Sequence, residues 1–171
     1  MNLFNIRQQI PATLAVINNF VGGKLKSRQV KDILSAIENF HFAFTAVTSQ
    51  RSSGGISFMY AFTARNLNAA ADPASRLAEL AKLKEKLKAK RPSYAEFEPR
   101  FLEILYSTKY TKQRQLVRYI LGRFLRAHSP GFAIDMDRMT IEHIEAENAP
   151  TKALDDEQTA AMETSYWSRR S

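Results

Sequence analysis

Between Pro11 and Ala127 apolar residues return every three or four positions, and the runs are cut by breakers at Gly22-Gly23, Ser52-Ser53-Gly54-Gly55, Asp72-Pro73 and Ser129-Pro130-Gly131. Such a period matches a helix that buries one face, so the chain reads as helix after helix. The pattern predicts an all-α fold, a bundle of about five to seven helices. Only the run Met139-Thr140-Ile141-Glu142-His143-Ile144 alternates in the manner of a strand, which predicts a small β appendage near residues 139–144.

The individual helices follow from their start and stop signals. The first is expected from Pro11 to Val21, because proline suits the first turn and Gly22-Gly23 supplies an end. Ser27 is a candidate N-cap for the second, whose broad apolar stripe runs from Val30 through Ile33, Ile37, Phe40 and Phe44 to Val47, the expected core helix. After a flexible loop at Ser52 to Gly55, a third is expected over Ile56 to Ala70, with Phe58, Met59, Phe62 and Leu67 on its pattern. A fourth, from Ala74 to Lys90, has Leu77, Leu80, Leu83 and Leu87 along one side and lysines at 82, 84, 86, 88 and 90 over much of the rest. Ser93 and Glu96 match a capping box, so a further helix begins there, with Pro99 a point of delay or kinking. The last, about Lys112 to Ala127, is expected to bury Leu116, Val117, Ile120, Leu121, Phe124 and Leu125. Residues 1–128 are therefore read as a helical region, and 129–171 as a separate segment whose acidic, weakly patterned end allows local disorder.

Composition removes several function classes. The 171 residues include no cysteine, so disulfides, thiolate catalysis and cysteine-held zinc are excluded, and a cytoplasmic location is expected. No apolar run approaches the length of a membrane span, and the N-terminus lacks the succession of regions a secretory signal needs.

A net charge of +8 favours an anionic partner, DNA above all. Between Ser107 and His128 the chain carries Lys109, Lys112, Arg114, Arg118, Arg123 and Arg126 and no acidic residue. From Asp135 onward nine acidic residues face four basic ones, a net charge of −5. Arg114, Arg118 and Arg126 fall on one broad side of their helix, since four residues advance it only about 40° beyond a full turn, and a phosphate-tracking face is conceivable. The bland alternative is that these cations simply solvate the outside of an amphipathic helix. Tyr106, Tyr110 and Tyr119 could stack on bases or could be core and rim residues.

Of the three histidines, His41 falls within the apolar stripe and reads as a hydrogen-bonded core histidine, and His128 at a helix end suits the negative pole of the dipole. His143 differs because Glu142 precedes it in the strand-like run. The pair is the one place equipped for chemistry, although alternation turns the two side chains apart unless the strand ends there.

The order Ile37-Glu38-Asn39-Phe40-His41-Phe42, Ala64-Arg65-Asn66-Leu67, Arg114-Gln115-Leu116-Val117-Arg118-Tyr119-Ile120-Leu121 and Met139-Thr140-Ile141-Glu142-His143-Ile144 resembles the GmrSD-type modification-dependent restriction endonucleases over about Ser27 to Asn148. The resemblance implies the helical region of such an enzyme followed by the start of an HNH-type nuclease domain. It implies that His143 is the general base on the attacking water and that Glu142 lies at a divalent metal, Mg²⁺ or similar. Where that family continues with a Leu-Pro-Gln-like element this chain has Glu145-Ala146-Glu147-Asn148, and a Gly-Asn-Leu strand with a ligand-bearing helix does not follow. The chain is thus expected to be inactive by itself and to need the other nuclease half and a ParB-like nucleotide-binding domain, in cis or in trans. The alternative expectation is a non-catalytic helical module that binds DNA or a protein, with Arg114, Arg118, Arg123 and Arg126 on DNA.

Overall fold

The computed structural model describes residues 6–50, 54–107, 109–129 and 138–141. It divides into two units, Met1–Ile134 and Asp135–Ser171. All regular structure among the described residues lies in the first, and it is helical, so the chain is all-α. Of the run expected to form a β appendage, Met139, Thr140 and Ile141 are irregular rather than extended in a ladder, and Glu142, His143 and Ile144 lie outside the described residues.

Helix α1 spans Ile10–Val21 with Pro11 in its first turn. It ends at a tight turn: Gly23 takes φ +70°, which a side chain would resist, and the N–H groups of Lys24 and Leu25 donate to the freed Asn19 carbonyl. Helix α2 spans Ser27–His41. Its N-cap is Lys26 rather than Ser27, and the Lys26 N–H donates to Gln29 Oε1 at 2.7 Å, so a side chain from inside the first turn reaches back over the helix start. Beyond His41 the helix does not stop but widens into a π-helical stretch, Phe42–Val47. Thr48 closes it, its N–H donating to the Ala43 carbonyl five residues back and its hydroxyl to the Ala43 and Phe44 carbonyls.

Helix α3 spans Gly54–Ala69, so Gly54 and Gly55, expected in a loop, form its first turn. Helix α4, Pro73–Ala89, starts at a conventional cap, with Asp72 accepting from the Ser75 N–H at 2.9 Å. Those hydrogen bonds, the Ser75 hydroxyl first, hold the Asp72 carboxyl below its usual range. Arg76 is buried within α4, and its guanidinium donates to the Ala70 and Ala71 carbonyls of the linker that joins α3 to α4.

These four helices enclose the core. Val16 of α1, Ile33, Ile37 and Phe40 of α2, Ile56, Tyr60 and Leu67 of α3 and Leu80, Leu83 and Leu87 of α4 are all buried together. Each such side chain contributes about 1.5–3 kcal/mol of burial. Two polar side chains inside it find partners. Asn19 Nδ2 donates to the Ala15 carbonyl and across to Asn68 Oδ1 at 3.0 Å, linking α1 to α3. His41, 2% exposed, has Nε2 2.9 Å from the Tyr60 hydroxyl and Nδ1 3.2 Å from Thr45 Oγ1. A neutral ring offers one N–H and one lone pair, and the two hydroxyls complement both. Burial holds the ring in that form by lowering its pKa to about 4.

Helices α5, Tyr94–Leu102, and α6, Arg114–His128, complete the unit. The Ser93–Glu96 capping box forms as read from the sequence, and Pro99 is accommodated within α5. No residue of α5 is buried, and α6 buries only Gly122. The expected burial of Leu121, Phe124 and Leu125 is therefore corrected: they are exposed, and Leu116, Val117 and Ile120 are half-buried.

Candidate nucleic-acid interface

The positions of the four arginines follow from the turn of α6. At about 100° per residue, Arg118 lies about 40° from Arg114, Arg126 about 120° and Arg123 about 180°. They do not form one face. Arg123 is directed at α2, where its guanidinium donates to Glu38 Oε2 at 3.3 Å and Asn39 Oδ1 at 3.2 Å. Arg114 and Arg126 are exposed, and Arg118 is half-buried and already engaged in an interaction. The Arg123 contact was unreadable from the sequence because 85 residues separate it from Glu38.

Tyr119 docks beside it. Its hydroxyl donates to Glu38 Oε1 at 3.0 Å and its ring lies 5.5 Å from that of Phe42. Burial, then the Glu38 charge and hydrogen bond, raise its pKa to about 12 against the opposing pull of Arg123 and Arg126. Of the two readings left open for this tyrosine, the structure shows the packed one. Glu38, Asn39 and Phe42 thus hold α6 through Tyr119 and Arg123, and Arg114 and Arg126 remain exposed.

At the N-terminal end of α6 lies a cleft of about 770 Å³ between the π-helical stretch and the segment entering α6. Lys109, Lys112, Tyr110 and Thr111 line one side, Thr45 and Ser49 the other. Ser49 is the one non-glycine residue with positive φ among those described, at 51°, an unfavourable backbone held by its surroundings. Gln113 precedes α6 without capping it, since Gln113 Oε1 instead accepts from the Leu105 N–H at 2.8 Å. Charge counting identified Lys109 and Lys112, whereas the π-helical wall opposite them leaves no periodic signal.

A second basic surface lies on the other side of the fold's sequence order, on α3 and α4. Phe58 and Phe62, expected on the apolar pattern of α3, are 62% and 38% exposed and stack on each other with centroids 5.8 Å apart. Lys86 Nζ and Arg65 Cζ lie 5.4 and 6.0 Å from the Phe62 centroid.

Glu142 and His143, expected to be metal ligand and general base, lie outside the described residues. Among the described residues no three His, Asp or Glu side chains are grouped to hold a metal ion. No helix among them is long and apolar enough to cross a membrane. No protein-family model, curated protein or solved structure matches the chain.

Proposed function

We propose that this chain is a helical DNA-binding module that engages duplex phosphates through the segment from Lys109 to Arg126. The observation that carries the reading is the exposure of Lys109, Lys112, Arg114 and Arg126 on a segment with no acidic residue. Such cations gain affinity by releasing counterions from DNA and carry no sequence information of their own. Arg123 has a different task on this reading: bound to Glu38, it positions α6 rather than reaching phosphate. Arg118 lies beside Arg114 on the phosphate side. A cytoplasmic location belongs with the same reading.

The test is the salt dependence of duplex binding by the purified chain. Log affinity falls linearly with log salt, and Arg114→Gln with Arg126→Gln lowers the slope by up to about 2. Binding that ignores salt, or a slope unchanged in the double variant, rejects the reading.

The sequence running on from Thr140-Ile141 into Glu142-His143 supports a second, compatible reading, that the module belongs to a GmrSD-like HNH endonuclease acting against modified foreign DNA. On it, His143 is the general base, Glu142 is a ligand of a divalent ion, and a ParB-like nucleotide-binding domain and the other nuclease half are partners. His143→Ala in a cleaving assembly then abolishes cleavage and leaves DNA binding intact. Undiminished cleavage sinks that assignment.

A further inference from the structure

We infer that the α3–α4 face is a separate binding surface for single-stranded nucleic acid, with Phe58 and Phe62 as the base-stacking platform and Lys86 and Arg65 as its phosphate partners. The two helices are antiparallel, since Asn66 meets Glu79 while Phe62, one turn earlier, meets Lys86. One further turn takes α3 back to Phe58, whose ring centroid lies 5.8 Å from that of Phe62. Two exposed rings therefore stand together, with an ammonium and a guanidinium over the second.

A nucleic-acid strand carries flat bases and phosphates together, so rings and cations on one surface suit it. Exposed apolar rings alone would suit many partners, whereas rings bordered by cations favour a partial hydrophobe that is also anionic. A single strand fits better than a duplex because base faces in a duplex are covered by their stacked neighbours, and only unpaired bases offer them. The neighbouring Glu79 carboxylate accepts from Asn66 Nδ2 at 3.1 Å and Lys82 Nζ at 2.6 Å, and its charge also acts on Lys86. Neither phenyl ring belongs to the buried core, so the surface can be altered without opening it.

Fluorescence anisotropy on the full chain separates this surface from the α6 segment. The probes are a labelled oligothymidylate and a mixed-sequence duplex. Phe58→Ala with Phe62→Ala should weaken oligothymidylate binding about tenfold or more and leave duplex binding unchanged. Phe58→Tyr with Phe62→Tyr, which keeps the rings, should restore it, and a helical circular dichroism spectrum equal to wild type certifies each fold. Arg114→Gln with Arg126→Gln should do the opposite, weakening duplex and sparing the oligothymidylate. The inference is overturned if wild type does not bind the oligothymidylate, if the alanine pair binds it undiminished, or if that pair weakens both probes alike. Loss of duplex binding by wild type with the oligothymidylate result intact would reject the α6 reading and leave this one standing.

Discussion

In α4, Leu80, Leu83 and Leu87 are buried, 5%, 0% and 3% exposed; in α6, Leu121, Phe124 and Leu125, at equally helical spacing, are 41%, 55% and 36% exposed. The difference lies in their neighbours. Helix α4 packs between α2 and α3, whereas α6 rests on the body through Glu38, Asn39 and Phe42. An amphipathic stripe nominates a face for burial, and only a partner helix completes it. The core half of the molecule is held by apolar area, and its basic arm by a few polar contacts.

The sharpest way to break that contrast is truncation. Leu83→Ala should destabilise the fold by about 2–5 kcal/mol in urea unfolding, while Leu121→Ala should cost less than about 0.5 kcal/mol. Equal losses would mean that α6 belongs to the core after all.

Acid comes next in size, and acts on the core side. Because burial lowers His41 from 6.5 to about 4, the unfolded chain takes up a proton that the folded chain refuses. The stability this group contributes is complete above pH 6.5 and is lost as pH falls through that window, a change of about 3 kcal/mol. Urea midpoints measured across it should fall in wild type and flatten in His41→Gln. A wild-type curve as flat as the variant's would remove His41 from the buried set.

The smallest effect should fall on the arm. Glu38→Ala removes the acceptor of both Tyr119 and Arg123, and should cost about 1 kcal/mol. Hydrogen exchange should quicken in α6 and hold steady in α3. Tyr119 should ionise below its present value of about 12 yet stay above the ordinary 10, since burial is the larger cause of its shift. Protection unchanged in α6 would show that Glu38 does not fasten it.

Local signals in the sequence located the helices well. Pro11, Asp72-Pro73 and the Ser93–Glu96 box each act within one turn, and each helix begins within a few residues of its signal. Periodicity also identified the α2 stripe and His41 as a core histidine. It failed where the deciding contact is remote. Nothing near Arg123 announces Glu38, and nothing near Phe58 and Phe62 says that both stay exposed. The widening at Phe42–Val47 was hidden because a π turn keeps the composition of the helix it extends. Of the expected site, the structure describes the arginines and divides them, whereas Glu142 and His143 lie outside the described residues.

Arg76 has a consequence for the order of assembly. With Asp72 starting α4 and Arg76 donating to the Ala70 and Ala71 carbonyls of the linker, this corner is tied together from within the same seven residues, 70–76. Only residues 70–72 separate the two helices. Closing so short a loop sacrifices little chain entropy, and contacts between near neighbours in sequence form fast. The α3–α4 hairpin is thus a natural early piece of the folding route, onto which α1 and α2 add their longer-range contacts.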